Sequence, residues 1–286
     1  MAGKNLPRLI IFGDPKKGCV ADVIEEFTDF VKGKADIVTT CSLDNSKPPD
    51  IPENCDYAVV FGGDGSIISA ARSLSANAVP VIGVNLGRLG YLAEFSVAEL
   101  KQSFHDIISG KALIEKRMML ACCIFPAEKQ KTPKRRKERL KEQNFCSAAI
   151  NDIFITAGPP FRMIELKISV DSQPLAGCVS DGLIISTPTG STAYNLSAGG
   201  PILSPSMEAM VITPICPHSL SFRPIVINAR STVEVVGVHV NEGTTVSLDG
   251  QISSRLAVGD VVRVQKYKDH FLLVNNSMRT QRDTSQ

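Results

Sequence analysis

Apolar and polar positions alternate between two periods over the first hundred residues. Short apolar runs predict strands at Arg8–Gly13, Ala35–Cys41, Tyr57–Phe61 and Val81–Val84, and helical spacing predicts helices at Cys19–Val31 and Ile67–Leu74. Because strands and helices alternate, the pattern favours a parallel sheet covered by helices on both faces. We therefore predict an N-terminal α/β domain over residues 1–100.

The pattern changes after Ser96, which is placed to cap a helix that runs through Leu100 to Ser109. From Ala112 onward the apolar segments are short, and turn-forming residues separate them at 158–160, 171–172, 242–243, 249–250 and 259–260. This spacing predicts a mainly β C-terminal domain, a β-sandwich, over residues 101–275, with a helix near 191–199. We assign residues 276–286 to a polar tail, and we expect the chain to be frayed from Asn275 to Gln286.

Composition is that of a globular protein, with 286 residues, 43% apolar and 21% charged. A single core stops growing at roughly 250–300 residues, which favours two domains. No apolar run approaches the roughly 18–20 residues that cross a bilayer, and Met1–Arg8 does not resemble a secretory signal. We expect a cytoplasmic protein with no membrane partner, and the formal net charge of +2 indicates no class of partner.

The eight cysteines include no Cys-x-x-Cys pair, and the four histidines are isolated from one another. Cys122 and Cys123 are adjacent, a poor geometry for a bridge with each other. The distribution predicts reduced, mostly buried cysteines and no structural zinc site.

Residues 128–141 form a strongly basic segment, with eight Lys/Arg against two Glu, between β-like segments. Such a run is typical of a solvated hairpin loop. A nucleic-acid or polyanion patch is the alternative, but no aromatic side chain stands inside the segment to stack on bases. We therefore expect no nucleic-acid partner.

A glycine-rich loop, Gly62-Gly-Asp-Gly-Ser66, follows the strand Tyr57–Phe61 directly. A strand that feeds such a loop and then a helix is a layout that cradles phosphate groups. The loop is neither a Walker loop nor a GxGxxG motif, and it holds one carboxylate, Asp64, at the carboxyl end of a strand. The alternative is a tight turn with a solvated aspartate.

A second motif spans Ser180–Leu203, where a strand runs into a loop rich in Ser, Thr and Gly and then into a helix. Free N–H groups and hydroxyls at such a junction attract phosphates or sugars. Capping of the helix by Ser191 or Thr192 is the structural alternative for either residue alone.

The motifs resemble, in order and spacing, those of the NAD kinase family: Phe61–Ser66, Asn85–Leu92, Asn151–Asp152, Ser180–Leu203 and Asp249–Gln251. The resemblance covers the chain from Arg8 to about Val274. The block at 180–203 is highly specific, whereas the GGDG loop is shared with diacylglycerol-type lipid kinases and phosphofructokinases.

The resemblance implies phosphorylation of the 2′-hydroxyl of the adenosine ribose of NAD to give NADP. It implies a Rossmann-like, phosphofructokinase-like N-terminal domain, a C-terminal β-sandwich, and a dinucleotide held in the cleft between them. The donor is expected to be ATP, with another nucleoside triphosphate or polyphosphate left open. Phosphoryl transfer further implies a divalent metal, Mg²⁺, whose ligands the motifs leave open. A homo-oligomer, dimer or tetramer, is also implied.

By motif match, Asp64 resembles the general base that accepts the 2′-hydroxyl proton. The phosphate loop would be Gly62, Gly63 and Ser66. The substrate-binding residues implied by the resemblance are Gly65, Tyr91, Asn151, Asp152, Arg162, Asp181, Thr192, Ala193, Tyr194, Asn195, Leu196, Ser197 and Gln251. Asp249-Gly250 is also the signal of a type I′ hairpin, so a structural role is the alternative for Asp249.

Four features depart from the family pattern. Ser66 stands where Thr is usual, Asp152 where Glu is usual, and Val179 where many bacterial members carry Arg; the basic segment 128–141 is also longer and more charged. Two other functions compete with NAD phosphorylation. One is a non-catalytic dinucleotide sensor, and the other is a GGDG kinase of another substrate class.

Overall fold

The computed structural model describes residues 6–14, 16, 18–43, 49–87, 90–127, 145–219 and 222–276. They form two compact units. The first comprises the described residues up to Arg117 and those from His270 onward, and the second is Met118–Asp269. The basic segment 128–141 and the tail from residue 277 lie outside the described residues, so the predictions made for them stay predictions.

The first unit is built on a six-stranded sheet of order β2-β1-β3-β4-β18-β5. Its strands are β1 (Arg8–Phe12), β2 (Asp36–Cys41), β3 (Tyr57–Phe61), β4 (Val81–Val84), β5 (Ile114–Arg117) and β18 (Phe271–Val274). All neighbouring pairs are parallel except β18 with β5. The helices are α1 (Gly18–Val31), α2 (Asp64–Ser73) and α3 (Val97–Ile108).

The strand order places a ligand-binding edge in this unit. The chain passes from β1 to β2 on one side, and then to β3 on the other side of β1. The sheet therefore has a topological switch point between β1 and β3, and ligands of open α/β sheets bind outside the carboxyl ends of strands at such a point. The glycine loop follows β3, so it lies beside this switch point.

The second unit contains two six-stranded antiparallel sheets, of order β10-β9-β14-β17-β6-β7 and β13-β12-β11-β8-β15-β16. Side chains from both sheets, among them Leu166, Val262, Ile153 and Ile212, form one buried core, which makes the unit a β-sandwich. The strands are β6 (Leu120–Phe125), β7 (Phe145–Ala149), β8 (Asp152–Thr156), β9 (Ile164–Val170), β10 (Gln173–Ser180), β11 (Gly182–Ser186), β12 (Ala209–Ile215), β13 (Ile225–Asn228), β14 (Val233–His239), β15 (Thr245–Leu248), β16 (Ile252–Arg255) and β17 (Val261–Lys266).

The predicted fold class, an α/β domain followed by a β-sandwich, is confirmed. The helix predicted near 191–199 is a 3₁₀ turn, Gly190–Thr192, followed by one helical turn, Tyr194–Ser197. In the described part of the chain, none of the helices combines the length and the apolar character that a membrane crossing demands.

The unit boundary differs from the predicted division at residue 100. Helix α3, capped by Ser96 and Glu99 as a capping box, buries Leu100 and Phe104 in the core of the first unit. Strand β18 returns the end of the chain to the same sheet, between β4 and β5. The prediction missed this because an apolar run shows that a strand exists but not which sheet it joins.

The beginning of the predicted polar tail is also ordered by contacts. The Asn275 N–H donates to the Leu113 carbonyl at 2.9 Å. Asn276 is buried, its N–H donates to the Glu94 carboxylate at 2.7 Å, and its side-chain amide donates to the Glu94 carbonyl at 3.0 Å. The expectation of fraying is therefore wrong at these two residues.

The expectation of eight reduced cysteines is wrong for one pair. Cys123 and Cys146 lie opposite each other on the antiparallel strands β6 and β7, and they form a disulfide. The other six cysteines are free thiols. The two cysteines are 23 residues apart, and their pairing depends on the register of two strands, which the spacing does not reveal.

Candidate active site

The glycine loop connects β3 to α2 in a turn that leaves little space. Gly63 is the N-cap of α2, and the Gly62 N–H donates to the Val84 carbonyl at 2.9 Å, which ties the loop to the end of β4. A Cβ on Gly62 would lie 2.4 Å from the Ser66 hydroxyl oxygen, so a larger residue does not fit. Asp64, Gly65 and Ser66 form the first turn of α2, at the helix end whose partial positive charge favours anions.

Asp64 is held by the backbone of a second loop. Its Oδ2 accepts the N–H of Tyr91 at 2.8 Å, and its Oδ1 accepts those of Leu92 at 3.0 Å and Ala93 at 3.1 Å. A carboxylate accepts at about four lone-pair positions, so these bonds leave one position, on Oδ2. The carboxylate is half-buried and fixed in place, with room to accept one further proton donor.

Gly90 makes this arrangement possible, although it was not among the residues predicted for the site. A Cβ at Gly90 would lie 2.2 Å from Asp64 Oδ1, closer than any van der Waals contact. Its position directly before Tyr91, inside the 85–92 motif, is the sequence feature that could have indicated its importance. The Tyr91 side chain is 79% exposed, so its ring is open to contact.

In the second unit, the segment Ile150–Asp152 forms the corner where the chain leaves β7 and enters β8 in the other sheet. The Asp249 carboxylate accepts the N–H groups of Ile150 at 3.1 Å, Asn151 at 2.7 Å and Asp152 at 3.3 Å. The Thr187 hydroxyl donates to the Ile150 carbonyl at 2.7 Å, and its N–H donates to the Asn151 carbonyl at 2.8 Å. The corner is therefore fixed on both its donor and its acceptor sides.

Asp152 is 3% exposed. The pKa of its carboxyl group is raised to about 7, chiefly by burial and in addition by the negative charge of Asp249, while a hydrogen bond from the Tyr194 backbone partly opposes both. A carboxyl group with this pKa holds or releases a proton near neutral pH. It can therefore act as a hydrogen-bond donor as well as an acceptor.

The hydroxyl-rich loop after β11 packs directly on this corner. A Cβ at Gly190 would lie 2.0 Å from the Asn151 carbonyl oxygen, so the two backbones are in close contact. The Thr192 hydroxyl donates to the Thr189 carbonyl at 3.3 Å, and the Ala193 N–H donates to the Gly190 carbonyl at 2.9 Å. The loop thus brings Thr192 and Ala193 to the same end of the sheet as Asn151.

The helical turn after this loop presents three of the predicted residues to solvent. Tyr194 is 38% exposed, and its ring packs edge-on against Phe154 at 5.1 Å between ring centroids. Leu196 is 45% exposed, and Ser197 is exposed as well. These side chains are accessible to a ligand.

Asn195 differs from the expectation of a ligand contact, because its side chain is fully buried. Its amide donates to the carbonyls of Ser191 at 3.0 Å and Pro201 at 3.1 Å, and its Oδ1 accepts the Thr213 hydroxyl at 2.7 Å. We therefore assign its side chain to holding the loop. The sequence pattern does not distinguish an asparagine that contacts a ligand from one that bonds to the protein itself.

Gln251 closes the Asp249-Gly250 turn, since its N–H donates to the Leu248 carbonyl at 3.0 Å. Both central residues have positive φ, 53° and 65°, as the predicted type I′ turn requires. Gln251 therefore lies two residues after Asp249, whose carboxylate holds the corner.

Two predicted residues lie at the other end of the sheet. Asp181 is exposed, and its carbonyl accepts the Ala157 N–H at 2.9 Å, beyond the far end of β8. Arg162 is exposed in the connection after β8, where its carbonyl accepts the Asn241 amide at 2.5 Å. A strand of this length spans roughly 13 Å, so these two residues are separated from Asn151.

The described residues contain no group of three or more His, Cys, Asp or Glu placed to hold a metal ion. Mg²⁺ is often bound through one or two carboxylates together with substrate phosphates, and needs no such cage. Asp64 is the carboxylate of the glycine loop, and its one remaining position on Oδ2 can take a metal ion or a substrate hydroxyl, but not both.

Comparisons with known proteins identify the family. Residues 18–112 match the family model of the ATP-NAD kinase N-terminal domain, and residues 150–276 match that of the C-terminal domain. The NAD kinase of Desulforamulus reducens is 38% identical over 84% of this chain and 80% of its own length. That of Geobacter metallireducens is 41% identical over 79% of this chain and 75% of its own length.

Solved structures agree with these matches. A yeast NADH kinase complexed with NADH superimposes with a TM-score of 0.81 and 26% identity, covering 98% of this chain and 88% of that one. Its fold is that of the two units described above. The chain therefore belongs to the NAD kinase family, whose members phosphorylate the 2′-hydroxyl of NAD to give NADP.

Proposed function

We propose that Asp64 is the general base of NAD phosphorylation in this protein, with ATP as the phosphoryl donor. The observation that carries the proposal is the geometry of its carboxylate. Three backbone N–H groups fix it at the carboxyl end of β3, and one acceptor position remains on Oδ2. A fixed base needs no reorganisation when the substrate hydroxyl arrives.

In the reaction, the 2′-hydroxyl oxygen forms a bond to the γ-phosphorus of ATP, and the bond from that phosphorus to the β,γ-bridging oxygen breaks. Asp64 takes the hydroxyl proton, and ADP leaves with the bonding electron pair. Phosphoryl transfer depends mainly on positioning and on stabilisation of charge. The N-terminal turn of α2, with Gly62, Gly63, Gly65 and Ser66, supports a role in holding phosphate groups.

We assign binding of the adenosine portion of NAD to the corner of the second unit. Asn151 offers an amide donor and acceptor, and Asp152 offers a carboxyl group that can donate or accept near neutral pH. The exposed edge of Tyr194 provides an aromatic surface beside them. Asp152 is one methylene shorter than the glutamate usual in the family, so the ligand must approach the corner more closely.

A divalent metal, Mg²⁺, would neutralise the charge that develops on the transferring phosphoryl group. We propose that the donor phosphates hold it, because the remaining position of Asp64 accepts the substrate hydroxyl. We also propose a cytoplasmic location, supported by the free thiols at six of the eight cysteines, against one disulfide, Cys123–Cys146. A homo-oligomer is supported by exposed apolar side chains of the second unit such as Ile202, and light scattering after size exclusion would measure its size.

The test is formation of NADP from NAD, ATP and Mg²⁺, measured for the wild type and for Asp64→Asn. The asparagine keeps an oxygen for the backbone N–H groups but is a much weaker base, so kcat should fall by about 10²–10⁴-fold. Asp36→Asn removes an exposed charge from the same unit and should keep normal turnover. Normal turnover in a folded Asp64→Asn protein would remove Asp64 from the mechanism.

A further inference from the structure

The N–H groups of the corner Ile150–Asp152, where the chain changes sheets, bond to a side chain in place of a neighbouring strand. Buried backbone N–H groups without partners are costly. Here three consecutive N–H groups converge on the Asp249 carboxylate, and the Ile150 N–H contacts both of its oxygens at 3.1 Å. The Asp249 N–H in turn donates to the Asp152 carbonyl at 2.9 Å. Asp249 thus replaces a missing strand partner.

This carboxylate comes from a hairpin turn about a hundred residues further along the chain. A type I′ turn accepts asparagine or glycine at the same position, so the turn alone does not require an aspartate. The convergent N–H groups do, because a carboxylate accepts several strong hydrogen bonds at once.

We infer that Asp249 is a positioning residue for NAD, which acts through the backbone of Ile150–Asp152 to hold the Asn151 and Asp152 side chains in their binding orientation. The inference rests on the proposed role of this corner in binding the adenosine portion. Asp249 itself need not touch the substrate.

Asp249 has a second effect, which a purely structural residue would lack. Its negative charge raises the pKa of Asp152, and so favours the protonated form of that carboxyl group. Among the described residues, Asp249 is the charged group that acts on this carboxyl group, whereas Ser186, its register partner on β11, and the backbone N–H of Tyr194 are uncharged. Removal of the Asp249 charge should therefore let Asp152 ionise at a lower pH.

Two substitutions separate these effects. Asp249→Gly removes the carboxylate and tolerates the positive φ of 53°, so it deletes the three hydrogen bonds without straining the turn. Asp249→Asn keeps the turn and one acceptor oxygen but removes the charge. A matched control is Asp171→Gly, because Asp171 occupies a similar positive-φ turn at 51° and its carboxylate accepts one backbone N–H, from Thr232 at 2.8 Å.

The first measurement is amide hydrogen exchange of the full-length protein without ligand. Asp249→Gly should speed exchange at Ile150–Asp152 by about tenfold or more, while Asp171→Gly should leave that segment unchanged. This measurement needs no turnover, so it tests the hydrogen bonds between Asp249 and the corner even if the proposed function fails. Unchanged exchange at the corner in a folded Asp249→Gly protein would overturn the inference.

The second measurement is steady-state kinetics with NAD as the varied substrate. Asp249→Gly should raise KM for NAD by about tenfold or more, with a smaller effect on kcat. In Asp249→Asn, the transition in the pH profile of kcat/KM should move to lower pH. An unchanged KM, an unmoved profile, or an equal rise in KM in Asp171→Gly would each refute a positioning role. Absence of NADP formation by the wild type would instead refute the proposed function.

Discussion

Gly90 offers a way to move Asp64 without changing its chemistry. In Gly90→Ala, the added Cβ would lie 2.2 Å from Oδ1 and 2.5 Å from Cγ of Asp64. The carboxylate must move by about 1 Å to reach a normal contact distance. The hydrogen bonds that it accepts from residues 91–93 are 2.8–3.1 Å long, so such a displacement breaks at least two of them.

The expected effects follow from these lost bonds. Hydrogen bonds to charged groups contribute about 1.5–3 kcal/mol each, so losing two should lower the free energy of unfolding by about 3–6 kcal/mol. A displacement of about 1 Å at a catalytic group should lower kcat by about 10²-fold. Chemical denaturation and the NADP-formation assay measure the two effects. Gly87→Ala is the control from the same loop, because a Cβ there meets no atom within 4 Å.

A double-mutant cycle tests the cause. Asp64→Ala removes the carboxylate with which the new methyl group collides, so Gly90→Ala should cost little further stability in that background. An equal loss of stability in both backgrounds would show that Gly90 is needed for another reason. A normal kcat in Gly90→Ala would refute the requirement for a fixed Asp64.

Three further predictions concern the second unit. Because the folded state raises the pKa of Asp152 from 3.8 to about 7, the free energy of unfolding should fall as pH rises between those values, by at most about 4 kcal/mol. Denaturant titrations at pH 5 and pH 8 measure this dependence, and Asp152→Asn should flatten it. The same pH dependence in Asp152→Asn and the wild type would contradict the prediction. Asn195→Ala should destabilise by about 2–3 kcal/mol, measured by thermal unfolding, because it leaves the buried Thr213 hydroxyl without its acceptor. Gly190→Ala should raise KM for NAD, because its Cβ would lie 2.0 Å from the Asn151 carbonyl oxygen, whereas Gly177→Ala, with no atom within 4 Å, should not.

The sequence predicted those features that depend on neighbouring residues. Apolar runs located β3 and β4 to the residue, and the glycine spacing located the loop that carries Asp64. Helical spacing and a polar residue before it located α3, because an amphipathic helix and its cap are local patterns.

Features that depend on distant contacts could not be predicted in the same way. The need for glycine at Gly90 arises from the side chain of Asp64, 26 positions earlier. The Asp249 carboxylate bonds to backbone N–H groups 97–99 positions earlier. The burial of Asn195 depends on Thr213, on a strand that the motif does not include. Such contacts require the three-dimensional pairing of strands, which the one-dimensional pattern leaves open.

The second unit is one continuous stretch of chain inserted between β5 and β18 of the first. Arg117 pairs with Phe271 on the one side of the connection, and Leu120 pairs with Lys266 on the other. The two ends of the inserted stretch therefore lie side by side, as is common for insertions that leave the host domain intact. A short linker from Arg117 to His270 could close the first unit on itself. The second unit could then be expressed, exchanged between relatives or evolved as a separate module.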